Sequence, residues 1–185
     1  GMFAVQLAAL SGAIPVLALD FDAARRALAL KLGATQALAP DQAGVIDKIK
    51  AATSGGPNAV VEVTGSAAAL QQALQYIAWE GRMSLLGCTR VSDTPIDYYK
   101  YVHRRGISLI GAHTFTRAQR ESTPGRWTER DDYNAFLKLV GTGKLQARPI
   151  ISEIVSPEQG PTIFARLAEA KGMPLGIVFD WRMIR

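Results

Sequence analysis

Over its first two thirds this chain alternates short β-rich apolar runs with helical stretches, a pattern that leaves few architectures open. Strands are expected at residues 15–19, 36–39, 59–63, 82–86 and 107–111, with helices at 3–10, 23–32, 45–52, 67–79 and 96–103 between them. Strands separated by helix-length connections pair in parallel, and such sheets are covered by helices on both faces. Asp22 is placed to cap the second helix, and Gly33 to adopt the left-handed conformation after its end. Residues 114–130 read as a long polar loop, followed by a helix capped at Asp131 that runs to Val140 and stops at Gly141 and Gly143. Beyond Leu145 the pattern changes: strands at 149–155 and 175–181 flank a helix whose start carries Ser156, Pro157 and Gln159 in a capping-box arrangement.

The composition narrows the functional classes. A chain of 185 residues that is 48% hydrophobic buries a real core and is not disordered. Its single cysteine, Cys88, excludes an internal disulfide and a cysteine-built zinc site, and suits a reducing cytoplasm. The apolar N-terminus lacks the basic region of a signal peptide and continues directly into a strand and a helix. No apolar run approaches the ~20 residues of a membrane span. The net charge of +5 concentrates at His103, Arg104 and Arg105 and in residues 117–130, where Glu121 and Glu129 are the only acids. That excess suits an acidic ligand, a subunit contact or a solvated face; no nucleic-acid motif accompanies it, and no nucleic-acid partner is expected.

The first twenty residues, GMFAVQLAALSGAIPVLALD, have the order of the second half of a dinucleotide-binding unit: a helix, a second strand and an acid at its end. Gly1 stands where the last glycine of G-x-G-x-x-G would stand. Asp20 is placed to accept the ribose hydroxyls of NAD and to repel the 2′-phosphate of NADP; it also suits a turn beside Asp22. Arg25 and Arg26 lie on the first turn of the next helix, beside the adenosine or in solvent. Thr64-Gly65 and Gly87-Cys88 follow strands, at the edge where open α/β sheets bind ligands, and glycine there serves either a close approach to a flat ring or an ordinary turn. His103 and His113, ten residues apart, make a weak case for a metal site against a helix-end and a turn histidine.

Four stretches, GMFAVQLAALSGA, VLALDFDAARRALALKLGAT, VVEVTGSAAALQQAL and GRMSLLG, occur in the order of the medium-chain alcohol dehydrogenase family, and the chain resembles its sorbitol and threonine dehydrogenase branch throughout. The resemblance implies a Rossmann-like doubly wound parallel sheet lacking its first strand (residues 1–145), plus a remnant of the catalytic domain (146–185). It implies a cofactor site at Gly1, Asp20, Arg25, Val63, Thr64, Gly65, Leu86, Gly87 and Cys88, with NAD binding weak or lost. Zinc is expected of the full-length family, but its ligands belong to the missing part, so neither a metal ligand nor a catalytic residue is assigned here. The implied function is a truncated NAD-dependent alcohol or polyol dehydrogenase, inactive as this chain alone. The alternative is a non-catalytic fragment that oligomerises through the edge strand Ile107 to Gly111 or through the tail. In the order 3-2-1-4-5-6 the missing strand is central. Its neighbours are therefore expected to pair directly, or to receive the tail strand at 175–181 from the same or a partner chain.

Overall fold

The computed structural model of the protein describes residues 1–87, 94–169 and 173–184; Cys88 lies outside them. The chain divides into two compact units, Gly1–Leu137 and Lys138–Arg185.

In the first unit, α1 (Met2–Leu10), β1 (Leu17–Leu19), α2 (Ala23–Lys31), β2 (Gln36–Leu38), α3 (Val45–Ala52), β3 (Ala59–Glu62), α4 (Ala67–Tyr76), β4 (Arg82–Leu85) and β5 (Ser108–Gly111) follow the expected alternation. β1 and β2 pair in parallel, with Leu17 opposite Gln36. β3, β4 and β5 form a second parallel ladder in which Ala59, Arg82 and Ser108 are in register. The order is therefore that of the doubly wound sheet with its central strand absent. Within the single chain, the expected closure of that gap is corrected in both its forms. β1 and β3 do not pair. The tail strand β7 (Ile177–Phe179) lies beside β6 (Glu153–Val155), with Glu153 opposite Ile177. A parallel ladder needs a crossover, and the tail supplies its own in α6 (Gly160–Ala168), so β7 finds its partner locally. β1 and β3 are joined through side chains: Leu17, Leu19, Leu38 and Val60 pack on one core built from Val45, Ile49, Ala73, Leu74, Ile77, Met83 and Ile107. The opposite face of β3 and β5 is less covered, and Val61 and Ile110 stay nearly half exposed.

The capping chemistry read from sequence sets several boundaries. Asp22 Oδ1 accepts the amides of Ala24 and Arg25 at 2.7 and 3.0 Å. Gly33 takes a φ of +112°, and Ser156 with Gln159 forms the capping box. Tertiary contacts move other boundaries. α4 stops at Tyr76, three residues before the expected end, where Ile77 turns extended. The Arg105 guanidinium donates to the carbonyls of Leu74 and Ile77, occupying the helix end. One of the basic residues read as surface charge is therefore a brace. The helix expected at 96–103 is reduced to a wide turn, Tyr99–His103, opened by the Asp97 carboxylate accepting the Lys100 amide at 2.9 Å. The helix expected from Asp131, α5 (Glu129–Gly141), starts two residues earlier because Thr128 Oγ1 accepts the Asp131 amide.

Leu74, fully buried in the core between α4 and the sheet, tests this arrangement. Leu74→Ala is expected to cost about 2–5 kcal/mol, read as a lower urea midpoint with an unchanged slope.

Candidate functional site

β1 runs parallel to β2, and β3 to β4, and the sequence places a polar or glycine-containing turn after the carboxyl ends of β1, β3 and β4. At the end of β1, Asp20 Oδ1 accepts the Asp22 amide at 2.9 Å. Its other carboxylate oxygen has no hydrogen-bond partner among the described residues. Asp20 thus fills the turn role and still presents an acceptor outward. Arg26 donates to the carbonyls of Asp20 and Phe21, both at 2.8 Å, fixing the backbone of this turn. Arg25 stands on the first turn of α2, where its amide is bound by the cap.

The N-terminus of α1 sits at the same edge. A Cβ on Gly1 would lie 3.6 Å from Val63 Cγ2, at the tip of β3. The Gly1 amine is pushed below its ordinary value by burial, with the Asp20 carboxylate acting in the opposite sense. Gly1 therefore meets the tip of β3, with Asp20 near enough for its charge to act on the Gly1 amine. No side chain caps α1, so its first-turn amides point into this region unpaired within the helix, an arrangement suited to an anion.

The turn after β3 is built by a residue that the sequence reading passed over. Glu62, buried at the end of the strand, accepts from the Thr64 amide and hydroxyl through Oε1 at 2.7 and 2.5 Å, and from the Gly65 amide through Oε2 at 3.1 Å. Gly65 takes a φ of +70°, which favours glycine. A Cβ on Gly87, after β4, would collide with the Gly65 amide and come within 2.7 Å of Glu62 Oε2. Gly87 is therefore required by backbone packing between two turns, a reason separate from any ring lying over it. Tyr76 is pushed up to about 12 by burial and by the nearby Glu62. The signal in the sequence was an acid inside the apolar run VVEV, directly before a Thr-Gly turn. Leu86 continues this edge and is exposed.

The histidines have local roles. His113 Nδ1 accepts the Phe115 amide at 3.2 Å, which makes that nitrogen the unprotonated one. His103 stacks on Tyr99 with ring centroids 5.8 Å apart. Among the described residues, no three His, Cys, Asp or Glu side chains come together to hold a metal. No described helix is long and apolar enough to cross a membrane.

Comparison with known proteins supports the same reading. Residues 1–129 match the sequence family described as zinc-binding dehydrogenase. The L-threonine 3-dehydrogenase of Caldanaerobacter subterraneus subsp. tengcongensis is 39% identical over 112 residues, 60% of this chain and 32% of that enzyme. The D-guloside 3-dehydrogenase of Escherichia coli K12 is 26% identical over 97% of this chain and 52% of its own length. An alcohol dehydrogenase zinc-binding domain protein from Burkholderia ambifaria superposes with a TM-score of 0.78 at 25% identity, over 95% of this chain and 44% of that one. The chain thus spans between about a third and about a half of the relatives it matches. On this match and on the strand-edge geometry, the chain belongs to the zinc-binding dehydrogenase family.

Proposed function

We propose that this chain is the cofactor-binding portion of an NAD-dependent oxidoreductase that acts on an alcohol or polyol. The observation that supports it best is the meeting of Asp20, the N-terminus of α1 and the tip of β3 at one carboxyl edge. That donor and acceptor set fits a nicotinamide dinucleotide: a carboxylate with a spare oxygen for ribose hydroxyls, and uncapped helix amides for phosphate. Arg25 flanks the adenosine side. The turns of Thr64, Gly65, Leu86 and Gly87 form the nicotinamide side, held in place by Glu62. A nicotinamide held there would supply a hydride acceptor for the alcohol carbon. This chain's own part is to bind and orient it. Asp20 favours NAD over NADP, because a carboxylate repels a 2′-phosphate. The single cysteine of the sequence suits a cytoplasmic setting.

The described residues do not gather a zinc site, so we assign no zinc chemistry to them. A second reading, a fragment that assembles with copies of itself or with a relative, is favoured by the edges. β5 pairs on one side only, and β1 and β3 each present an unpaired edge.

Three outcomes follow. NADH binds this chain weakly, because the pyrophosphate side rests on α1 amides alone, and what binding there is depends on Asp20. In a fluorescence titration Asp20→Ala is expected to lose about tenfold or more; low-micromolar affinity, or affinity indifferent to Asp20→Ala, contradicts the reading. The purified chain of 185 residues turns over no alcohol with or without added zinc, and zinc-dependent NADH formation would refute this. Sedimentation velocity on dilute protein is expected to show an oligomer, and a well-folded monomer would remove the second reading.

A further inference from the structure

We propose that the loop after β5 forms a binding cleft for a small anionic polyol, a sugar-like molecule carrying a phosphate or carboxylate group. The chain leaves β5 at Gly111 and passes through His113 into the turn Thr114–Thr116. The segment that follows borders an open surface cleft of about 660 Å³ that Phe115, Gln119, Arg120, Thr128, Glu129 and Arg130 help to line, with the Glu129 carboxylate occupied by Arg117. That volume lies in the range of ordinary small-molecule sites and far exceeds what a bare phosphate fills. Asp20 stands on β1, in the other ladder, whereas the cleft begins at the outer strand of the β3–β4–β5 ladder. It is therefore separate from the adenosine side.

The loop is braced. Ala118 bridges Thr128, and Thr123 bridges Arg126. Arg126 Nε donates to the Thr116 carbonyl at 3.0 Å. Asp131 accepts from the hydroxyls of Ser122 and Thr128 at 2.5 and 3.0 Å. Arg117, also on the cleft wall, is held by Glu129 at 3.0 Å and Asp132 at 3.2 Å. The three acids in the first turn of α5 are thus engaged.

Arg120 and Arg130 are left over. Their guanidinium groups form no ion pair and no hydrogen bond among the described residues, yet both line the one cleft. Arg130 also stands in the first turn of α5, where the helix dipole disfavours a cation. Both are exposed and lack a partner acid among the described residues, so an anion taken up in the cleft gains charge-assisted hydrogen bonds from them. The remaining lining matches a polyol. Thr114 and Gln119 offer hydrogen bonds, and the Phe115 ring is 86% exposed, steadied by the His113 ring at a centroid distance of 4.7 Å. A flat aromatic face beside paired cations takes the carbon face of a sugar while its anionic group is held.

Direct binding to the 185-residue chain, without nucleotide or turnover, tests the proposal independently of the cofactor reading. Calorimetry at low salt uses glucose 6-phosphate, gluconate, inorganic phosphate and uncharged glucose. At least one of the two sugar anions is expected to bind, the tighter of them identifying the anionic group, with glucose about tenfold weaker or undetectable. Arg120→Gln and Arg130→Gln are each expected to weaken the anion by about tenfold. Phe115→Ala is expected to weaken the sugar anion and leave inorganic phosphate unaffected. Arg104→Gln, a basic surface control, leaves the anion's affinity as it was. Circular dichroism confirms that each variant is folded. Three results overturn the proposal: neither sugar anion binding, glucose binding equally well, or folded arginine variants that bind as tightly as the parent. Random duplex DNA binding more tightly than both sugar anions, with the same arginine dependence, also overturns it in favour of a polyanion surface.

Discussion

The carboxyl edge of the sheet depends on one buried carboxylate. Removing a charged group from water is costly unless it is well hydrogen-bonded, and Glu62 meets that demand by taking two backbone amides and a hydroxyl from the next three residues. The cost is offset by shaping: those bonds curl the chain after β3 back over its own strand end, and Gly87 then packs against Gly65 with no room for a side chain. Two turns from neighbouring strands become one rigid floor. Tyr76, raised to about 12 by burial and by this carboxylate, stays neutral and adds no competing charge beneath it.

The opposite half of the edge is built by a different device. Asp20 spends one oxygen on its own turn and Arg26 braces the carbonyls around it, so the acid is oriented before any ligand arrives. Between these halves, among the described residues, stands the N-terminus of α1 against Val63. Backbone amides of a helix end attract an anion, but a helix seated by one flank is a weaker cradle than a glycine turn continuous with a strand. The two halves of the edge are each rigid, and the place where they meet is the least constrained.

Much of this was legible in the residues. The alternation of strands and helices, the caps at Asp22 and Ser156, the turn at Gly33 and the strand-end positions of Asp20, Thr64 and Gly87 all follow from local chemistry, because the groups that decide them lie within a few residues of one another. The misses share a cause in distance along the chain. α4 ends at Tyr76 because Arg105, 31 residues beyond Leu74, takes its carbonyls, and β7 joins β6 across α6 instead of entering the gap. Glu62 was overlooked for a different reason: an acid in an apolar strand looks like an interruption until the turn that it binds is seen folded back on it.

The gap between β1 and β3 shows how an α/β sheet distributes its stability. Two ladders that share no strand still hold together because they bury one continuous core, against which Leu17 and Leu19 pack from one ladder and Val60 from the other. Side-chain packing is non-directional and tolerates the missing ladder; backbone hydrogen bonding is directional and does not. The core therefore survives while the edges of β1 and β3 remain open, and Val61 stays half exposed on the face away from that core. An element of the sheet that is dispensable for burial is thus indispensable for closing the backbone ladder. The carboxyl edge, which is made of backbone turns at strand ends, therefore depends on the directional ladder more than the hydrophobic interior does.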